Sequence, residues 1–73
     1  MKRIAVRSSS VKSLGYDEER QVLELEFHSG AVYQYFSVPP IDYARLLDGR
    51  SIGRFINACI KDRYPFKQVR GAD

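Results

Sequence analysis

A short segment near the C-terminus, residues 50–66, combines basic and small polar residues in a pattern that could bind an anion. Ser51 is a favourable N-cap for a helix, and Gly53 in the first helical turn would let a ligand approach the backbone closely. Arg50 and Arg54 would flank the positive end of the helix dipole, where phosphate groups bind readily. The residues expected to contact nucleic acid or another anion are Arg50, Ser51, Gly53, Arg54, Asn57, Lys61, Arg63 and Lys67. The alternative interpretation is a capped surface helix whose arginines contact only water.

An apolar stripe on the same segment predicts how this helix docks. Its members follow the i, i+3, i+4, i+7, i+8 spacing of a buried helical face and are Ile52, Phe55, Ile56, Cys59 and Ile60. Pro65 is expected to end the helix. Because Cys59 lies on the stripe, we interpret its thiol as a small hydrophobic group and not as a nucleophile. The basic residues of the segment must then face solvent.

Alternating patterns upstream of this helix predict an antiparallel sheet. Residues 11–16 form a first predicted strand, and the charged residues 17–20 form the turn after it. In the next strand, 22–28, apolar residues alternate with two glutamates, which indicates a half-buried strand with an acidic outer face. Residues 32–36 are the returning strand of a hairpin.

The length of the hairpin loop decides where two tyrosines point. A three-residue loop with only Gly30 in the left-handed backbone region avoids strain and turns Tyr33 and Tyr35 toward the core. A two-residue loop would instead place both tyrosines beside Glu24 and Glu26 on the open face, where they could stack on unpaired bases. We favour the three-residue loop because it avoids strain in the backbone. The two carboxylates would also repel a phosphate backbone, which argues against base stacking and for core packing of the tyrosines.

The remaining residues predict a first helix and the fold class. Pro40 suits the first turn of a helix, and Gly49 suits the residue just past its end. The apolar residues that this helix is expected to bury are Ile41, Tyr43, Leu46 and Leu47. Residues 66–69 are expected to run extended back over the core. A three-stranded antiparallel sheet followed by two short helices packed on one face makes an α+β domain.

Composition limits the classes of protein to which the chain can belong. With 73 residues there is room for one core and little room for a cleft that encloses an organic substrate, which argues against a self-contained enzyme. His28 has no cysteine or carboxylate at ligand spacing, so we expect no metal, no cofactor and no catalytic residue. The chain lacks the run of about 20 apolar residues that a membrane span needs. Its single cysteine fits a cytoplasmic, reduced protein.

The net charge of +3 belongs to the C-terminal half of the chain. Seven basic and two acidic residues lie between positions 45 and 70, whereas positions 1–36 carry five of each kind. A basic surface is typical of nucleic-acid-binding domains, and it is also common where charge only keeps a protein soluble. The charge is therefore consistent with RNA binding without requiring it.

Seven short motifs follow one another along most of the chain. They are Val6-Arg7-Ser8-Ser9, Leu14-Gly15-Tyr16-Asp17, Phe27-His28-Ser29-Gly30, Tyr33-Gln34-Tyr35, Val38-Pro39, Ser51-Ile52-Gly53-Arg54-Phe55-Ile56-Asn57 and Tyr64-Pro65-Phe66. Their order resembles the KTSC family, small domains that occur alone in bacteria and at the C-terminus of some lysyl-tRNA synthetases. The resemblance implies one domain over residues 1–73, with a core at about 4–69 and a flexible tail at 70–73. It implies no established activity, and the attachment to a tRNA-charging enzyme suggests RNA as a partner.

Two hypotheses of function follow from these observations. The first is a non-catalytic module whose basic second helix binds the phosphates of tRNA or single-stranded RNA without sequence specificity. The second is a protein–protein interaction module that uses the aromatic hairpin or an unpaired edge strand to bind a partner or a second copy of the chain. We expect a monomeric protein that does not contact membranes.

Overall fold

Five antiparallel strands lie side by side in the order in which they occur along the chain. The computed structural model describes residues 3–48 and 51–71. The strands are β1 (Arg3–Ala5), β2 (Val11–Asp17), β3 (Val22–Phe27), β4 (Val32–Tyr35) and β5 (Phe66–Arg70). Between β4 and β5 the chain forms the helices α1 (Pro40–Asp48) and α2 (Ile52–Phe55), and α2 continues into a π-helical turn, Ile56–Ile60. These helical segments cover one face of the sheet.

The prediction of a three-stranded sheet was wrong, although the α+β class holds. The three predicted strands correspond to β2, β3 and β4, and the sheet gains one further strand at each edge. β1 has only three residues and β5 is exposed along its whole length, so neither shows the alternation of buried and exposed residues that marks a strand in sequence. Both edge strands are recognised by their hydrogen-bonded pairing with a neighbouring strand and not by a pattern of buried residues. β5 also includes Arg70, the first residue of the predicted tail.

The hairpin has the predicted three-residue loop. The Phe27 amide donates a hydrogen bond to the Ala31 carbonyl over 2.9 Å, and Gly30 has a φ of 99°. In this register Leu25 pairs with Tyr33, and the next core position pairs Leu23 with Tyr35. Tyr35 is only 2% exposed, whereas Tyr33 is half-buried. The core-facing orientation of the two tyrosines is therefore confirmed.

A single hydrophobic core joins this face of the sheet to the helical segments. Its buried members are Val11, Leu14, Leu23, Leu25, Tyr35, Val38, Leu46, Ile56 and Ile60. Burying one such aliphatic side chain contributes roughly 1.5–3 kcal/mol, so the two isoleucines of the π-helical turn help to hold that turn on the sheet.

The first helix begins at Pro40 as predicted but buries a different set of residues. Leu46 is fully buried, whereas Ile41 and Leu47 are 59% and 42% exposed, so the prediction that both are buried was wrong. Asp42 takes a buried position instead, because its carboxylate accepts a hydrogen bond from the Tyr64 hydroxyl. A hydrogen-bonded polar group can replace an apolar one in a core at little cost. The predicted capping position, Gly49, lies outside the described residues.

The second helix begins as predicted and then changes its winding. Ser51 is the N-cap, and its hydroxyl oxygen accepts a hydrogen bond from the Arg54 amide over 3.3 Å. From Ile56 onward the winding is π-helical, with the Lys61 amide donating to the Ile56 carbonyl over 2.9 Å. Ile56 and Ile60 are fully buried, and the other members of the predicted stripe are half-buried. No helix in residues 3–48 or 51–71 is long and apolar enough to cross a membrane.

Candidate nucleic-acid interface

The residues predicted to bind an anion fall into three groups in the structure. Arg50 lies outside the described residues. Four exposed residues of the second helical segment and the turn after it form what we call the cationic segment: Arg54, Asn57, Lys61 and Arg63. Ser51 and Gly53 lie at the start of α2, and Lys67 lies in β5. Each group has a different environment, and the cationic segment is the one that carries its basic residues on the helical side of the sheet.

The space beside Gly53 is filled by the chain itself. A Cβ atom at this position would lie 3.0 Å from the Ser10 hydroxyl oxygen and 3.7 Å from that of Ser8. The glycine was expected to let a ligand approach the backbone, but it is a loop of the protein that makes this close approach. The Ser51 hydroxyl is likewise occupied as the helix cap.

Hydrogen bonds hold the loop of residues 8–10 over the start of α2. The Ser8 hydroxyl oxygen accepts bonds from the amides of Ser10 and Val11, each over 3.2 Å. The His28 ring nitrogen Nε2 lies 2.9 Å from the Ser8 carbonyl, to which it must donate, and the His28 amide donates to the Ser10 carbonyl. The serine run and the histidine therefore fix a loop.

The three basic residues of the cationic segment are free of carboxylate partners. Among the residues that the structure describes, Arg54, Lys61 and Arg63 form no ion pair. Lys61 Nζ lies 5.7 Å from the centre of the Phe27 ring, and the Arg63 guanidinium lies 5.8 Å from that of Tyr64. A cation over an aromatic ring keeps its charge and still exposes donors to solvent. These side chains are consequently available to an anionic partner.

Lys67 lies on the opposite face of the sheet. It pairs in register with Gln34, whose side-chain amide donates to Glu24 over 2.9 Å. Directly opposed residues of an antiparallel pair point to the same side. Lys67 therefore belongs to the face that carries the glutamates, and the predicted basic set is divided between two surfaces.

On that second surface, which we call the open face, two arginines are paired with the glutamates of β3. Arg3 Nε lies 3.4 Å from a Glu24 carboxylate oxygen, and an Arg70 guanidinium nitrogen lies 2.7 Å from Glu26. Ser13 donates a further hydrogen bond to Glu26 over 2.8 Å. The Ser13 hydroxyl, followed by Arg70, holds the pKa of the Glu26 carboxyl below its ordinary value. This acidic strand face binds the chain's own arginines.

An aromatic pocket of about 410 Å³ opens on the helical side of the sheet, beyond the end of the π-helical turn. Its lining residues are Phe27, Ser29, Ala31, Tyr33, Tyr35, Lys61, Asp62 and Phe66. The Tyr33 ring is central: its centre lies 5.8 Å from that of Phe27, edge to face, and 5.7 Å from that of Phe66. Sequence analysis placed the tyrosines on this face but missed the pocket, because the position of Phe66 depends on the pairing of β5 with β4.

Burial raises the pKa of the Tyr35 hydroxyl, and the neighbouring Tyr33 and Asp62 raise it further. Tyr35 therefore stays protonated at neutral pH and can act as a hydrogen-bond donor. Asp62 itself is one of the residues that line this pocket. The pocket thus combines ring faces, one cation and one carboxylate.

A second aromatic group joins the helices to the sheet. The rings of Tyr16 and Tyr43 stack with centres 4.5 Å apart, and Tyr64 donates its hydroxyl to the Asp42 carboxylate. Burial, followed by this hydrogen bond, raises the pKa of Tyr64. We interpret this second aromatic group as structural.

Within residues 3–48 and 51–71, His, Cys, Asp and Glu side chains form no group of three that could hold a metal ion.

Sequence comparison finds relatives of two kinds. A protein of Stutzerimonas stutzeri described as uncharacterised is 52% identical over 64 residues, which cover 88% of this chain and 90% of the relative. The lysine–tRNA ligase of Nostoc punctiforme is 39% identical over 61 residues. That match covers 84% of this chain but only 11% of the ligase, so the likeness is to one small region of a large enzyme.

Structural comparison agrees with the sequence relatives. The crystal structure of a KTSC domain protein from Yersinia pestis superimposes with a TM-score of 0.91 at 32% identity, covering 94% of this chain and 97% of the other. The profile of the KTSC domain matches residues 7–64. This match spans most of the chain, from the loop before β2 to the turn before β5. The chain therefore belongs to the KTSC domain family.

Proposed function

We propose that this KTSC domain is a non-catalytic cytoplasmic module that binds RNA through its cationic segment. The observation that carries the proposal is the difference in charge pairing between the arginines of the open face and the basic residues of the cationic segment. Arg3 and Arg70 are bound to glutamates, whereas Arg54, Lys61 and Arg63 have no carboxylate partner among the described residues. Unpaired surface cations are the groups that can displace the counterions of a phosphate backbone.

The kinship with lysine–tRNA ligases supports RNA as the class of partner. A region 39% identical to this chain occurs in an enzyme whose name gives tRNA as its substrate. A domain carried by such an enzyme would be useful if it increased the affinity for that RNA. The cationic segment would contact the sugar-phosphate backbone, which gives affinity without reading sequence.

The start of α2 contributes less to this proposal than the sequence alone suggested. Ser10 occupies the space beside Gly53, and Ser51 is engaged as a cap. Lys67 would reach phosphate only on the open face, beside Glu24. We therefore assign the phosphate contacts to Arg54, Lys61 and Arg63, with Asn57 as a neutral donor.

The experiment is an NMR titration of the ¹⁵N-labelled protein with tRNA and with single-stranded RNA at low salt. We expect backbone shifts along the cationic segment and an affinity that falls steeply with salt. In a plot of log affinity against log salt concentration, each lost phosphate contact makes the slope less steep by about 0.7–0.9. The double variant Arg54→Glu, Lys61→Glu should bind at least tenfold more weakly and keep its fold. Lys67→Glu, on the open face, is the matched control and should bind nearly as wild type. An absence of shifts with excess RNA would end the proposal.

A second candidate function, protein–protein interaction, is favoured by β5. This strand is an edge of the sheet, all its residues are exposed, and Phe66 and Val69 are 56% and 51% exposed. An exposed edge with apolar side chains can pair with a strand from a partner or from a second copy. Light scattering would detect self-association as a mass that rises with concentration. Val69→Lys should abolish it, while a charge reversal on the cationic segment should leave it unchanged.

A further inference from the structure

We propose that the aromatic pocket binds a single unpaired nucleobase, with guanine preferred. This inference rests on the proposed RNA-binding function and names a second contact for the same ligand. Four aromatic side chains line the pocket, and its volume of about 410 Å³ lies within the range of small-molecule sites. That volume is large enough for one base.

The aromatic rings of the pocket offer a base a surface for stacking. Phe66 is 56% exposed and Tyr33 is half-buried, so both rings present surface to the pocket. Tyr33 is held by Phe27 on one side and lies nearly parallel to Tyr35, with their ring planes 20° apart. A ring fixed by its neighbours loses little freedom when a base stacks on it. Aromatic side chains on a sheet are the usual platform for bases splayed out of single-stranded RNA.

Lys61 and Asp62 are the charged residues that line the pocket, and their charges favour a nucleotide over an apolar ligand. Lys61 carries a cation at the edge of the pocket, 5.7 Å from the Phe27 ring centre, and it is also part of the cationic segment. A base in the pocket would therefore leave its phosphate close to the residue already assigned to the backbone. The pocket and the cationic segment form one continuous surface through Lys61.

Asp62 supplies the preference for guanine. Asp62 is one of the residues that line the pocket, and its carboxylate has no ion-pair partner in the part of the chain that the structure describes. An ionised carboxylate only accepts hydrogen bonds, and its two oxygens can accept two parallel ones. Guanine offers two adjacent donors, N1–H and the 2-amino group, on its Watson–Crick edge. Adenine and cytosine offer a donor beside an acceptor, and uracil offers one donor between two acceptors. Asp62 can therefore accept two parallel hydrogen bonds from guanine but only one from the edge of any other base.

The test is a set of NMR titrations with GMP, AMP, CMP and UMP. We expect GMP to bind most tightly and to shift the amides of Ala31, Tyr33 and Asp62. Asp62→Asn should reduce the preference for GMP over AMP by about tenfold, because an amide oxygen accepts where its NH₂ group cannot. Asp48→Asn, an exposed aspartate of α1, is the matched control and should keep the preference. Phe66→Ala removes an exposed ring, and the loss of stacking should lower the affinity for GMP by about tenfold.

The outcomes separate this inference from the proposed function. If tRNA and single-stranded RNA bind with the expected salt dependence but no nucleotide shifts the amide signals of the pocket, the inference alone is overturned. If all four nucleotides bind equally, or Asp62→Asn keeps the GMP preference, guanine recognition is overturned. If no RNA binds at low salt, the proposed function fails. Shifts at the pocket with extended peptides but not with nucleotides would assign the pocket to a protein partner and overturn the inference. A thermal melt of each variant shows whether it is folded.

Discussion

The arginines of the open face and the basic residues of the cationic segment differ in whether an acidic residue neutralises them. On the open face, Arg3 and Arg70 are bound to the glutamates of β3. On the helical side, the three basic residues of the cationic segment have no acidic partner within the described residues. The difference shows that net charge is a poor guide to a binding surface. The neighbours of each cation decide whether it is available.

The secondary structure explains the contrast. On a strand, alternate residues share a face, so Glu24 and Glu26 lie together, and β1 and β5 bring an arginine to them through pairing of successive strands. On the helical segment, the neighbours one turn from Arg54 are Asn57 and Ala58, and neither is acidic. The same chain therefore neutralises one surface and leaves the other basic.

The largest effect is expected from removing the anchor of the helical side. Ile60→Ala leaves a cavity beneath the π-helical turn and should lower the free energy of unfolding by about 2–5 kcal/mol. The matched control is Ile41→Ala, since Ile41 is 59% exposed on α1 and should cost under about 1 kcal/mol. Urea denaturation monitored by circular dichroism measures both. An equal loss of unfolding free energy in the two variants would show that Ile60 does not hold the π-helical turn in place.

The next effect concerns the start of α2. Gly53→Ala adds a Cβ that lies 3.0 Å from the Ser10 hydroxyl, so it should destabilise the protein by about 1 kcal/mol despite the better helix propensity of alanine. Ser10→Ala removes that hydroxyl, and the double variant should recover the loss. A double-mutant cycle from urea midpoints measures the coupling. If the two substitutions are additive and Gly53→Ala instead weakens RNA binding, the glycine faces a ligand after all.

The sequence was sufficient to predict the features set by local spacing. The register that buries Tyr35, the cap at Ser51 and the burial of Ile56 and Ile60 follow from turn geometry and periodicity. Features that depend on distant partners were missed. β5 is a strand only because β4 lies beside it, and the pocket exists only because Phe66 is thereby brought to Tyr33. The contact between Gly53 and Ser10 joins residues far apart in sequence and leaves no local signal.

A pH effect is expected on the open face. The pKa of Glu26 is lowered in the folded protein from its ordinary value of 4.5, first by the Ser13 hydroxyl and then by Arg70. A lowered carboxyl pKa adds stability that is complete above the unfolded pKa and is lost as pH falls through the folded one. Wild type should therefore be more stable than Glu26→Gln at pH 7, and the difference should shrink below about pH 4.5. Urea unfolding at several pH values measures this difference. Glu19→Gln, in an exposed turn, is the control. A difference in stability that is as large at pH 2.5 as at pH 7 would contradict the assignment.

The smallest effects provide the sharpest comparison of the two faces. Arg70→Gln removes the bonds to Glu26 and to the Gly30 carbonyl, so it should lower stability by up to about 1 kcal/mol. Lys61→Gln removes a cation without an acidic partner among the described residues, so stability should change by less than about 0.5 kcal/mol. RNA affinity at low salt should change in the reverse order, because Lys61 is free to contact phosphate and Arg70 is not. Urea midpoints and NMR titrations on the same two variants measure both quantities. If one variant lowered both quantities more than the other did, the two faces would not divide folding and binding between them.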